Sequence, residues 1–124
     1  MSLHHFRGLL LALTLFLAAG AQAHGTGQAR HGGVTATVND LNFELVAAPS
    51  GALLYIDDHG KPLAPSGFTG RLTVLQGSAK TEAEWVASGD RLEAKGVKLS
   101  AGAKAVATIT TPAKKPITVR FAIK

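Results

Sequence analysis

The sequence predicts a small antiparallel immunoglobulin-like β-sandwich of about seven or eight strands, preceded by a cleavable signal peptide and a flexible arm. Short runs rich in β-branched and aromatic residues alternate with turn residues about every 8–12 positions. No long helical period survives after residue 23. Glycine reaches 14 copies while charged residues make up only 17%, a sparse, turn-rich composition that suits a β protein better than a helical bundle. A length of 124 residues is about one domain's worth, which argues against a multi-domain enzyme.

The first element is an address. Residues 1–23 begin with a short cationic stretch containing Arg7, continue through an apolar run over 9–17, and finish in small residues ending Ala21-Gln22-Ala23. That is the pattern of a secretory signal peptide, and its apolar core falls short of the roughly 20 residues a spanning helix needs. No Arg-Arg pair precedes the core, so export in the unfolded state is expected, with any metal acquired outside the cytoplasm. Cleavage after Ala23 releases a chain beginning His24-Gly25. Cleavage after Ala21 releases Gln22-Ala23-His24, whose amine, two amides and imidazole suit square-planar copper or nickel.

Residues 24–33 hold two histidines, several glycines and almost no apolar side chain, and are expected to form a mobile His/Gly-rich arm, with order and the β-sandwich domain beginning near Val34 and running to Lys124. Residues 41–47 alternate so that Leu41, Phe43 and Leu45 share one face of a half-buried strand. Pro49-Ser50-Gly51 turns the chain into a strand over 52–56. Asp57-Asp58-His59-Gly60 reads as a hairpin loop left through Lys61-Pro62-Leu63. Further strands are expected at 71–76, 81–87, 91–95, 103–110 and 117–123. In the last, Ile117, Val119, Phe121 and Ile123 point one way and Thr118, Arg120, Ala122 and Lys124 the other. Trp85, the one tryptophan, is expected in the core.

Several function classes lose support at once. The chain has no cysteine and a single methionine, Met1, which removes thiolate metal sites, thiol nucleophiles and thioether copper sites. The 13 basic and 8 acidic residues are scattered along the chain with no block longer than a pair, so no nucleic-acid partner is expected, nor any membrane contact after signal removal. Glu82 and Glu84 share a strand face beside Lys80 and read as solvated charges. Ser66 and Ser88 stand in no nucleophile elbow, and Pro62 after Gly60-Lys61 rules out a phosphate loop. No catalytic residue is identified, and a non-enzymatic role is expected.

The chemistry that remains is imidazole. His24 and His31 lie in the arm, and His59 sits at a hairpin tip beside Asp57 and Asp58. A folded-back arm supplying His24, its α-amine and His31 to a hairpin supplying His59 and Asp57 would offer four or five ligands. Without thiolate, copper(II) is the first expectation, followed by zinc, nickel or cobalt. Against this, arm histidines can serve only solubility, and an Asp-Asp-His-Gly loop can be chosen only for its turn. The competing function is a protein-interaction β-sandwich in which the histidines have no metal role.

A resemblance extends over nearly all the chain after the signal. His31-Gly32-Gly33, Phe43-Glu44-Leu45-Val46, the run from Leu54 to Pro62, the run from Gly70 to Leu75, the run from Arg91 to Gly96 and the run from Ala103 to Ala107 resemble a group of small, mostly uncharacterised periplasmic proteins of Gram-negative bacteria. The His-Gly-Gly start and the Leu-Tyr-x-x-Asp-x-x-Gly-Lys-Pro hairpin are also similar to a β domain in adaptor subunits of heavy-metal efflux pumps. His24 and Asp57-Asp58-His59 are similar in chemistry to the N-terminal histidine and Asp-x-His pair of periplasmic copper-resistance carriers, although that pair stands late in the family's chain and before the middle here. The resemblance implies a periplasmic β-sandwich near metal-resistance systems, and the metal-binding reading extends to docking on an efflux-system component. It implies no catalytic residue.

Overall fold

The structure, a computed structural model, describes residues 27–124. The signal peptide expected over 1–23 and the candidate ligand His24 lie outside the described residues. Among the latter there are ten strands and no helix: β1 (Val34–Val38), β2 (Leu41–Ala48), β3 (Gly51–Asp58), β4 (Lys61–Pro62), β5 (Thr69–Gln76), β6 (Ala79–Glu84), β7 (Val86–Ser88), β8 (Arg91–Lys95), β9 (Lys104–Thr110) and β10 (Pro116–Ala122). All pair antiparallel. Sheet A has the order β1-β2-β3-β8-β7, with β4 added to the end of β3, and sheet B has the order β10-β9-β5-β6. Together they make a small β-sandwich.

Period-two alternation builds the core, because successive side chains on a strand point to opposite faces. Phe43 and Leu45 from β2 and Leu54 and Ile56 from β3 are buried on sheet A, and Leu72 and Val74 of β5 with Ile117, Val119 and Phe121 of β10 close the interior from sheet B. At about 25 cal/mol per Å² of apolar area, each fully buried Leu or Phe stabilises the fold by roughly 1.5–3 kcal/mol. Small residues alternate with these large ones: Ala105 and Ala107 on β9 are also buried.

The strand count exceeds the sequence expectation for three local reasons. The sequence pattern places no strand before residue 41, yet Val34–Val38 pairs along its whole length with β2. β4 is only two residues long. The strand expected over 81–87 divides at Trp85, whose N–H donates to the Gly70 carbonyl at 2.9 Å, so the chain leaves sheet B as β6 and enters sheet A as β7. The Trp85 side chain is buried, as expected, and its indole Nε1 has no hydrogen-bond partner. On the opposite side of the sandwich the two remaining edge strands, β1 and β10, pack against each other.

The two sheets differ on their outer faces. Sheet B presents Thr108, Thr118, Arg71 and Glu84 in one exposed cross-strand row. Sheet A is crossed by residues 27–33, a strap that leads into β1.

Candidate functional site

The strap is held by one carboxylate. Glu44 points outward from β2, between the core residues Phe43 and Leu45, and is nevertheless only 7% exposed, the one buried charged side chain among the described residues. Its Oε1 accepts from the Arg30 N–H at 3.1 Å and faces the His31 Nδ1 at 2.9 Å. Its Oε2 accepts from the N–H groups of His31 at 2.8 Å and Gly33 at 2.9 Å. Converging backbone N–H groups of this kind form an anion-binding nest, here filled by the protein's own side chain. Burial pushes the Glu44 carboxyl up, but the hydrogen bonds from the His31 ring and from the Gly33, His31 and Arg30 backbone outweigh it and hold the group below its ordinary value.

The glycines following His31 make this geometry possible. Gly32 has φ +73°, a left-handed conformation that costs an L-residue about 1–2 kcal/mol. A β-carbon on Gly33 would lie 2.3 Å from the Leu45 carbonyl oxygen, far inside contact distance, so only glycine lets the strap approach β2 this closely. The expectation that order begins near Val34 is therefore corrected. From Arg30 to Gly33 the supposed arm is tied down, because its lack of apolar side chains is offset by backbone hydrogen bonds to a buried anion.

His31 is fixed on two sides. Its ring stacks on Tyr55 with centroids 3.6 Å apart and planes 4° from parallel. Tyr55 stands directly opposite Glu44 in the β2–β3 register, so one cross-strand pair supplies both the stacking surface and the anchoring carboxylate. An ionised carboxylate only accepts hydrogen bonds, so Nδ1 carries the proton in this contact and the lone pair of the neutral imidazole lies on Nε2. The His31 side chain remains 39% exposed.

His31 lines a cavity of about 230 Å³ between the strap and sheet A, together with Gly27, Arg30, Tyr55 and Asp57. The strap also reaches the β3–β4 hairpin, where Arg30 Nη1 donates to the Gly60 carbonyl at 3.1 Å. The strap and the Asp57–Gly60 hairpin thus meet at one end of the molecule. Asp57 itself organises that hairpin. Its Oδ1 accepts from the Gly60 N–H at 2.9 Å and from Asn42 Nδ2 at 3.0 Å, and Asn42 Oδ1 in turn accepts from Thr37 Oγ1 at 2.6 Å.

The expected ligand set does not assemble from the described residues. His31 and Asp57 share the cavity, but His59 does not line it. His59 occupies the hairpin tip with φ +51°, three-quarters exposed, its Nε2 3.6 Å from Asp58 Oδ1. No group of three or more His, Cys, Asp or Glu side chains is placed to hold a metal among the described residues. The physical reason is the turn: the left-handed backbone at His59 and the Asp57–Gly60 hydrogen bond fix the loop in a form that leaves the imidazole outside. Glu44 and Tyr55, conversely, carry the site's geometry, and neither was singled out from sequence. A buried outward-facing Glu followed across the hairpin by an aromatic was the available signal.

No protein-family model, no curated protein and no solved structure matches this chain, so the resemblance drawn from its motifs rests on those residues alone.

Proposed function

We propose that the protein is an exported, non-enzymatic binder of a divalent transition metal, copper(II) first, with His31 and Asp57 as fixed ligands and the chain preceding the strap supplying the rest. The observation that carries this is the histidine's environment. A metal-binding imidazole characteristically donates its other N–H to a carboxylate, which fixes the tautomer and ring orientation and raises the ligand's basicity. Glu44 stands in that position on Nδ1, and Nε2 is left as the donor.

Reach supports the remaining ligands. His24 stands three positions before Gly27, a span of at most about 10–11 Å, and Gly27 lines the cavity that holds His31 and Asp57. With cleavage after Ala23, the His24 amine and imidazole, His31 Nε2 and the second oxygen of Asp57 make a nitrogen-rich set without thiolate, which suits copper(II) ahead of zinc, nickel or cobalt. His59 has no place in this set. Periplasmic location and association with an efflux-system component belong to the same proposal and rest on the signal-like leader and the motif resemblance.

The test is a copper(II) titration of naturally exported and processed protein, with mass spectrometry of its N-terminus. His31→Ala and one added N-terminal methionine should each weaken binding by at least about 10–100-fold, the range for losing only an outer-shell partner of a ligand. His59→Ala should leave affinity unchanged. Absence of binding at micromolar metal overturns the proposal. Binding that ignores His31→Ala overturns the role of the cavity and points to the self-contained Gln22-Ala23-His24 chelate.

A further inference from the structure

The sequence scatters its cations, but the fold does not. From Ala94 to the end of the sequence there is no Asp or Glu, while Lys95, Lys98, Lys104 and Lys124 all fall there. Lys95 ends β8 opposite Gly51, and Lys98 lies in the connection from β8 to β9. Lys104 opens β9, facing Ala122 on one side and Leu75 on the other. Lys80, near the start of β6, is the next neighbour across from Leu75. Lys124 follows β10. All five lysines are exposed, and the strand directions put them at one pole of the sandwich.

The opposite pole has mixed charge. It carries Asp40 in the β1–β2 turn, Asp57 and Asp58 in the β3–β4 hairpin and Asp90 in the β7–β8 turn, alongside Lys61, Lys114 and Lys115. At the lysine pole the nearest carboxylates are Glu82, 3.3 Å from Lys80 Nζ, and Glu93, two residues before Lys95.

We infer that the lysine pole docks on an anionic phospholipid surface. Five separate ammonium groups around a rim are point charges with no shared pocket, which fits a diffuse sheet of negative charge better than one bound anion. Among the described residues the pole presents no exposed Trp or Tyr of the type that anchors protein interfaces, and Arg120, exposed beside Lys124, adds a sixth cation to its edge. It does present Leu75, one of two exposed large hydrophobic residues among those described, in the row Lys104-Leu75-Lys80. An apolar side chain flanked by two cations suits the boundary between headgroups and acyl chains. Membrane contact, not expected from the sequence, follows from the gathering of distant lysines. In this orientation the cavity and the β3–β4 hairpin face away from the bilayer, while the end of the strap at Gly32 and Gly33 lies beside Lys124.

The experiment is cosedimentation of the processed protein with vesicles containing phosphatidylglycerol and with vesicles of phosphatidylcholine alone, at low and at physiological salt. Binding to the anionic vesicles should fall as salt rises. Each lysine contributes about a fivefold factor near such a surface, so Lys95→Glu, Lys98→Glu and Lys104→Glu combined should lower binding by at least about 100-fold. Lys114→Glu with Lys115→Glu, at the other pole, should leave it within about threefold, and Leu75→Ser should weaken it while preserving the salt dependence. All these positions are exposed, and unchanged thermal unfolding confirms that each variant folds. Equal binding to phosphatidylcholine, no binding at low salt, or equal losses at both poles would each overturn the proposal. So would capture of an acidic protein by the lysine pole with no binding to vesicles.

Discussion

The two sheets place glutamates in equivalent outward-facing positions with opposite results. Glu44 on sheet A is roofed by the strap and receives four hydrogen bonds from it. Glu82 on sheet B stands in solvent with Lys80 Nζ at 3.3 Å and Arg71 Nη1 at 3.5 Å. Both carboxyls lie below their ordinary value, but for different reasons. For Glu82 the hydrogen bond and charge of Lys80 lead, with Arg71 and Thr73 behind. For Glu44, burial pushes upward and directed N–H donors overcome it. The contrast shows what a strand's outer face needs in order to become a site: a length of chain able to bring backbone donors to a buried anion.

The sharpest way to break the contrast is to remove each carboxylate. Glu44→Ala leaves three strap N–H groups and the His31 ring without their acceptor and should cost about 2–4 kcal/mol of unfolding free energy, since unsatisfied buried donors cost about 1–3 kcal/mol each when the strap stays docked and less when it releases into water. Urea unfolding followed by Trp85 fluorescence measures it. Glu82→Ala should leave the same midpoint in place, because exposed pairs contribute little.

Acid titration approaches the same quantity by another route. A carboxyl whose folded-state value is depressed stabilises the protein fully above its unfolded value, and that stabilisation is lost as pH falls through the folded value. The stability gap between metal-free wild type and Glu44→Gln should therefore be constant near neutrality and close progressively below about pH 4.5. A gap that stays unchanged as pH falls through that range would show that the charge of Glu44 contributes nothing to it. Raising salt should erase the depression at Glu82 and leave that at Glu44, because buried contacts are poorly screened.

Smaller changes sharpen the geometry. Gly33→Ala forces a β-carbon against the Leu45 carbonyl and should cost about 2 kcal/mol, while Gly32→Ala, strained only by its φ, should cost about 1 kcal/mol. Calorimetry of both variants checks the order. Tyr55→Leu keeps apolar contact but loses the ring stack, and should cost about 0.5–1.5 kcal/mol. Its more telling readout is broadening of the His31 ring signals in the NMR spectrum.

Elements whose evidence is local were legible in the sequence. The alternation of Ile117, Val119 and Phe121 placed β10, and Leu41, Phe43 and Leu45 placed β2 in its correct phase. The Asp57 turn was legible too, because its hydrogen bond spans only three residues. What escaped depends on distant partners. β1 was hidden because Val34–Val38 adjoins a glycine-rich stretch and gains strand character from pairing with β2. The strap read as mobile because its donors are backbone groups, invisible in composition, and their acceptor lies 11–14 residues away. His59 read as a ligand by proximity to two aspartates, whereas the turn that these residues build points the imidazole elsewhere. The lysine pole needed the whole strand order before it could be seen at all.

The passage of residues 79–88 from one sheet to the other at Trp85 has a consequence for how the molecule comes apart. The same stretch of backbone is an edge of both layers, so neither layer can melt and leave the other intact. Denaturation should be a single concerted event with no half-folded species, and the indole sits at the crossing, where it reports the fate of both halves at once.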